Sequence, residues 1–381
     1  MRATQAEVEL SALRHNLKQV MKRVGANVRV LGVVKANAYG HGLVAASKAM
    51  IEAGASYLGV AFIEEALELR QHTQLPILVL SPPFDDSLES YVRFDFDATI
   101  TSIETAHALD AVATSGRKKA RVQIKVDTGM GRIGFLPEVA IEAIRAVSAL
   151  KHLEIVGVYS HFATSDETNK EFARKQLSMF RDIVSSVKDL GITTALFHIA
   201  NSGAILDMPD SYFDMVRPGI MTYGYYPSLE TSESLEIEPA LSLKSSVALV
   251  KTLKAGMSVS YGRRYFAKRD SRIAVVPIGY GDGFTRLLTG KASVLIKGKR
   301  YPVVGTITMD YVMVDLGSDY EVQQGDEVVL LGRSGVEAIT AWDLASKLGT
   351  IPYEVLCMIN GRVPRIYTGQ SISLKEKAAA Q

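Results

Sequence analysis

Residues 28–34, VRVLGVV, are apolar on both faces, as in a strand buried within a parallel sheet, and Lys35 follows directly. Desolvation at such a place lowers the pKa of an ammonium group. A neutral amine attacks an aldehyde, so Lys35 is a candidate for a Schiff base, and pyridoxal 5'-phosphate is the common cofactor held in that way. The ordinary alternative is a lysine snorkelling outward from a strand end. Other reactive side chains recur in comparable places. They are Lys125 and Asp127 in RVQIKVD, His161 at the end of IVGVYSH, His198 in ALFHIA with Asn201 just beyond it, and Arg217 in FDMVRPG. Any one of these reads equally as a solvated loop residue. Five apolar runs, each delivering a polar group at or near its end, are harder to assign to solvent.

The elements that carry these groups repeat. Eight short β-branched runs are expected as strands: residues 28–35, 57–61, 76–81, 97–100, 121–127, 155–161, 195–200 and 213–219. Between them lie segments of helical period, such as 63–71, 136–150 and 170–190. Eight βα units imply an α/β fold whose N-terminal part is a (β/α)8 barrel of TIM type, with its site at the C-terminal strand ends. A doubly wound open sheet is the alternative, but VVKANAYGHG is not the GxGxxG turn such a sheet would usually carry. In a barrel, phosphate is often bound after the seventh and eighth strands. Asn201, Ser202 and Gly203 open a short helix after the seventh, and Arg217, Pro218, Gly219 and Ile220 follow the eighth.

Beyond residue 230 the texture changes. ETSESLEIEPA is a charged connector, and the runs SSVALVKTL, RIAVVPIGY, ASVLIKG, YPVVGTITM and VMVDLG are short, β-rich and punctuated by Gly and Asp, as in an antiparallel β domain. Hence the expected organisation is a barrel over 12–230, a β domain over 231–370, and a flexible tail at 371–381. With 47% hydrophobic and 22% charged residues and a net charge of +2, the chain is globular and lacks the basic footprint of a nucleic-acid or membrane-surface binder. Cys357 stands alone, which excludes an intrachain disulfide and a thiolate metal cluster and fits a reducing compartment. No metal site is expected. There is no apolar run of signal-peptide or membrane-span length, so the expected location is the cytoplasm.

VVKANAYGHG (33–42), KVDTGMGRIGF (125–135), YSHFATSD (159–166), HIANSGAIL (198–206), VRPGIMTYG (216–224), SVSYG (258–262), VPIGYGDG (276–283) and TMD (308–310) resemble the alanine racemase family, in order and across nearly the whole chain. The resemblance implies that residues 1–11 return to the β domain. It also implies a homodimer with shared active sites, L- and D-alanine as substrate, and a supply of D-alanine for peptidoglycan precursors. By the same resemblance Lys35 is the Schiff-base lysine and the base on one substrate face, and Tyr261, from the partner subunit, is the base on the other. That division is chemically sensible, because racemisation removes a proton from one side of a planar carbon and returns one to the other. Arg217 resembles the arginine facing the pyridine nitrogen. Since arginine does not readily give up a proton, it would weaken the electron sink where a decarboxylase would strengthen it.

His161 resembles the imidazole stacked on the cofactor ring, His198 a supporting partner of Tyr261 or Arg217, and Arg132 the donor to the phenolic oxygen, also reaching substrate. Tyr39, Asn201, Ser202, Gly219, Ile220 and Tyr353 match cofactor-binding positions, Met309 the residue whose backbone meets the substrate carboxylate, and Tyr280 and Asp310 the entry corridor. Lys125 matches a lysine that relatives often carry as a carbamate, whose charge would hold a partly buried Arg132. An ordinary ion pair from Lys125 to Asp127 is the alternative. Thr308 departs from the cysteine or serine of many relatives, which puts strict alanine specificity in doubt. A broader amino-acid racemase, a decarboxylase of the same barrel class, a cofactor carrier and a cofactor-free barrel are the competing readings. Arg217 together with SVSYG argues against the decarboxylase, the β domain bearing Tyr261 and Met309 against the carrier, and Lys35, Arg217 and the phosphate loops taken together against the cofactor-free barrel.

Overall fold

In the computed structural model, residues 2–369 are described, and the expected tail at 371–381 lies outside them. The chain divides into two compact units, one of Leu13–Ala38 with Leu43–Glu238, the other of Met1–Ala12, Tyr39–Gly42 and Pro239–Gln381.

The first unit is a parallel eight-stranded barrel, Arg29–Val33, Tyr57–Val60, Ile77–Val79, Asp97–Ile100, Ala120–Lys125, Leu153–Tyr159, Leu196–His198 and Met215–Val216, in which the first seven strands pair in sequence order. The eighth strand closes on the first through Arg29–Met215 and Val30–Val216. The seam between the seventh and eighth is carried instead by backbone bonds, Asp214 N to Phe197 O (3.0 Å) and Arg217 N to Ala200 O (2.9 Å). The expected eighth strand, 213–219, shortens to two residues because Phe213 has φ 48° and Pro218 has no N–H to donate. Likewise the first strand stops at Val33, two residues before Lys35.

Strands two, three and four are buried along their whole length; two and three read accordingly as apolar runs, whereas the fourth buries the polar Asp97 and Thr99. The intervening helices bury one stripe each. In Glu171–Asp189 that stripe is Ala173, Leu177, Phe180, Val184 and Val187, spaced by three and four. Removing the fully buried Phe180 ring would cost about 3–5 kcal/mol.

The second unit is a largely antiparallel sheet built on strands such as Leu241–Ser246, Ser271–Val276, Lys299–Val304, Val312–Gly317 and Glu327–Ser334. Strand Gln5–Glu9 joins it, antiparallel to Leu241–Ser246 and parallel to Arg365–Thr368. The transition from the barrel falls at Glu238/Pro239 rather than at 230. Asn16 holds the connector to the barrel, donating to Thr222 O (3.0 Å) and Glu238 O (2.8 Å) and accepting from Glu238 N (2.8 Å). A second difference is that Tyr39–Gly42 belongs to the β unit. Arg365 Nε donates to Gly40 O (3.0 Å), and an added Cβ at Gly42 would lie 2.0 Å from the Tyr367 hydroxyl. Among the described residues no helix is long and apolar enough to cross a membrane.

Candidate active site

The backbone after Lys35 takes a turn that L-residues avoid. Residues 36–39 have φ between 51° and 54°, left-handed in succession at a cost of about 1–2 kcal/mol each. Side chains clamp this turn. Glu65 accepts from Ala36 N (2.6 Å) and Ala61 N (2.8 Å), and the Asn37 carbonyl accepts from Leu43 N (2.8 Å). Strain of this kind persists where its surroundings over-determine it, and it clusters at functional sites. Its effect is to stop the strand abruptly, with half-buried Lys35 at the end of the run.

Across the same end of the barrel lie Lys125, Tyr159, His161, His198 and Arg217. The Tyr159 ring stacks on His198 with centroids 4.9 Å apart, while Lys125 Nζ lies 4.7 Å and Arg217 Cζ 5.3 Å from its centre. Burial, with the charges of Arg217 and Arg132, holds the Lys125 pKa well below its ordinary value. Arg217 is buried and spends its guanidinium on His198 Nδ1 (2.5 Å), His161 Nδ1 (3.1 Å), Ser160 O (2.6 Å) and Ile199 O (3.1 Å). Burial lowers its pKa to about 10, so it stays a cation at neutral pH. Both imidazoles are kept neutral, by burial first and then by the cations around them. Of the two partners expected for His198, the contact is with Arg217.

Asp127 organises the loop behind this group. Its carboxylate accepts from the backbone N–H of Gly129 (3.0 Å), Gly131 (3.1 Å) and Arg132 (2.9 Å), which holds its pKa down. A Cβ on Gly134 would meet Asp127 N and Lys125 Cγ, both at 2.9 Å, so the loop closes only on glycine. With its oxygens so engaged by backbone N–H groups, Asp127 forms no ion pair with Lys125. Arg132 is exposed in the single chain, where partial burial was expected. The desolvated amine is Lys125.

Asn201 caps the helix Ser202–Asp207, its carbonyl accepting from Ala204 N (3.1 Å) and Ser165 Oγ (2.6 Å). Buried Ser202 accepts from Gly219 N (2.9 Å), tying the loop after the seventh strand to that after the eighth. Ile220 heads the turn Ile220–Tyr223, whose first N–H groups have no acceptor within the turn.

The remaining expected residues lie in the β unit. Buried Tyr39 packs on half-buried Tyr353 at 6.0 Å between ring centres, and burial raises its pKa. Tyr261 is 74% exposed, on a turn where Ser260 (φ 65°) and Arg263 (φ 48°) are both left-handed. Thr306 pins the turn, donating to Tyr261 O (2.7 Å) and accepting at its own carbonyl from Ser260 Oγ (2.6 Å). Tyr280 and Met309 are 41% and 51% exposed on two crossing loops joined by Tyr280 N to Thr308 O and Gly281 N to Met309 O, both 3.0 Å. Thr308 Oγ1 closes its own loop by accepting from Tyr311 N (3.0 Å) and donating to Tyr311 O (2.9 Å), which gives the residue at this departure a structural task. Arg362 bridges exposed Asp310 (2.7 Å) and buried Asp282 (3.3 Å), and Arg2 meets Asp282 at 2.6 Å.

Sequence reasoning passed over Tyr159, Ser160, Glu65, Thr306 and Arg362. A signal existed for Tyr159. It sits two residues before His161, and side chains two apart on a strand share a face. None existed for Arg362, whose partners lie 52 and 80 positions away.

The family model for the alanine racemase N-terminal domain matches residues 8–227, and that for the C-terminal domain matches 240–367. Alanine racemase 2 of Caldanaerobacter subterraneus subsp. tengcongensis is 45% identical over 370 residues, 96% of this chain and 95% of its own. The solved alanine racemase of Clostridium difficile 630 superposes with a TM-score of 0.93 at 40% identity, covering 98% of each chain. That of Bartonella henselae, described with covalently bound pyridoxal phosphate, does so with a TM-score of 0.87 at 29% identity, over 96% of this chain and 100% of its own. Matched in both domains and along its length, this chain belongs to the alanine racemase family.

Proposed function

We propose that the protein interconverts L- and D-alanine with pyridoxal 5'-phosphate held on Lys35, and that it works as a homodimer in which each copy lends Tyr261 to the other. The observation that carries this reading is the cluster at the barrel mouth. There a half-buried lysine shares the strand ends with a buried arginine whose guanidinium is held by two neutral imidazoles and two backbone carbonyls, with no carboxylate among these partners.

These residues suit the cofactor. Lys35 offers the amine for its aldehyde, Arg217 a fixed cation for its ring nitrogen, and Ser202, Gly219 and Ile220 a hydroxyl and backbone amides for its phosphate, with Asn201 bracing that loop. Tyr39 and Tyr353 offer phenolic donors, and His161 and Arg132 polar contacts around the ring. When bound, pyridoxal phosphate supplies the electron sink that makes the α proton of an amino acid removable. Lys35 Nζ then takes or returns that proton on one face, and Tyr261 Oη does so on the other. A tyrosine raised on a strained turn and left 74% exposed by its own unit suits use by a second copy. Met309 and Arg132 would receive the substrate carboxylate, with Tyr280 and Asp310 at the entrance. A hydrophobic pocket rejects one extra hydroxyl by a factor of only about 10², so serine would be a slower substrate.

Lys125 supports a further assignment, a carbamate. Burial and the charges of Arg217 and Arg132 disfavour the ammonium form of Lys125. The free amine thus favoured attacks carbon dioxide through its lone pair and releases one proton, and the anion formed answers the charges of Arg217 and Arg132. The single cysteine and the composition fit a cytoplasmic enzyme.

The test is an absorbance spectrum near about 420 nm, where a pyridoxal–lysine adduct absorbs, followed by chiral analysis after adding L-alanine. A yellow protein that yields D-alanine without carbon dioxide supports the reading. In Lys35→Ala the band should vanish. In Tyr261→Phe it should persist, while racemisation slows more in one direction than in the other. Equal, mild losses in both directions would refute the two-base assignment.

A further inference from the structure

Below the cluster at the barrel mouth, a chain of hydrogen bonds runs through the interior to the opposite end. Arg217 Nη1 meets His198 Nδ1, His198 Nε2 meets Gln123 Oε1 at 2.7 Å, and Gln123 Nε2 donates to Asp97 Oδ2 at 2.7 Å. Asp97 also accepts from Tyr57 Oη (2.7 Å) and Arg121 Nε (2.7 Å), and Arg121 Nη2 donates to Tyr57 Oη (2.9 Å). His198 and Arg217 stand at the C-terminal ends of their strands, Asp97 and Tyr57 open theirs, and Gln123 lies midway. Asp97, Gln123 and His198 are fully buried.

The polarity of the chain has one solution. Arginine carries five N–H donors and no acceptor, so His198 Nδ1 must present a lone pair. The neutral ring then carries its proton on Nε2, and that proton needs an acceptor, which is the Gln123 carbonyl. The Gln123 amide N–H2 is thereby turned toward Asp97, which accepts in every bond it makes here. Rotating the Gln123 amide by half a turn would set N–H against N–H at one end and oxygen against carboxylate at the other. The barrel also makes room for this side chain. Gly157 lies opposite Gln123 in the strand register, and a Cβ there would fall 2.7 Å from Gln123 Oε1 and 2.8 Å from its Cδ.

We propose that Gln123, anchored by Asp97 at the far end of the barrel, is a positioning residue that locks His198 in the single tautomer able to hold Arg217 in place. Its value to catalysis rests on the reading of Arg217 given above. The tautomer itself is a property of this chain alone, so the two can fail separately.

The test uses the full-length holoenzyme with ring-nitrogen-15 histidine, the His198 signals being identified by their loss in His198→Asn. In the unsubstituted protein His198 should show a protonated Nε2 and a bare Nδ1, unchanged across neutral pH. In Gln123→Leu the ring should become a mixture of tautomers. Gly157→Ala alters no polar group and should produce the same mixture by displacing the Gln123 amide. In both variants kcat should fall roughly two- to ten-fold, the worth of one buried hydrogen bond, with KM little changed. Either a protonated Nδ1 in the unsubstituted protein, or an unaltered tautomer in a folded Gln123→Leu or Gly157→Ala protein, would overturn the proposal.

Discussion

Gly279→Ala isolates the geometry of the Met309 loop from its chemistry. Gly279 has φ −154°, which alanine adopts freely, so the substitution adds a methyl group and no backbone strain. That methyl carbon would stand 2.2 Å from Thr308 O and 2.4 Å from both the carbonyl carbon and oxygen of Met309. These are backbone atoms and no side chain can rotate away. Ordinary contact begins at 3.4 Å, so the loops must part by about 1.2 Å (3.4 − 2.2). The movement falls on the bonds Tyr280 N to Thr308 O and Gly281 N to Met309 O, and it carries Met309 away from its present place. A displacement of about 1 Å at a group that orients substrate costs roughly 10²-fold in rate. The assay is kcat/KM for D-alanine formation by chiral chromatography. The control is Gly361→Ala, where a new Cβ meets nothing within 4 Å. Gly279→Ala should lose on the order of 10²-fold and keep its cofactor absorbance, and Gly361→Ala should match the unsubstituted enzyme. Unchanged kcat/KM in Gly279→Ala would refute a role for the loop crossing in placing Met309.

Two further outcomes follow from the barrel mouth. A crystal structure grown in bicarbonate should show added density on Lys125 Nζ; a free amine there, with no anion beside it, would sink the carbamate. His161 and His198 have folded pKa values well below the ordinary 6.5, so their neutral forms contribute stability in full above that value. As pH falls below 6.5 the unfolded chain binds protons that the folded one does not, and that stability is progressively lost. The fall in melting temperature between pH 7 and pH 5 should therefore be smaller in His198→Gln than in the unsubstituted protein, and an equal fall would contradict it.

Much of the barrel was legible because parallel strands buried on both faces must be apolar runs, and because a strand ends where a polar group can reach solvent or ligand. Lys35, His161, His198 and Arg217 could be singled out on that basis alone. The motifs did more for Tyr261 and Met309, whose surroundings in sequence are ordinary for an exposed turn. The exposure of Arg132 was not legible, since a glycine-rich loop closed on Asp127 leaves the direction of its long side chains open.

The sequence by itself determined the repeating βα pattern, the change to a β domain near the connector, and which residues stand at strand ends, because each depends on periodicity within one segment. The tertiary structure alone decided the transfer of Tyr39–Gly42 to the β unit, the loop crossing at Gly279, and the line from Arg217 through His198 and Gln123 to Asp97. The last of these joins residues from four strands and is set by the register between them. Register follows from the packing of whole side-chain layers, in which a shift of one residue turns every side chain to the other face, and no single segment contains that information.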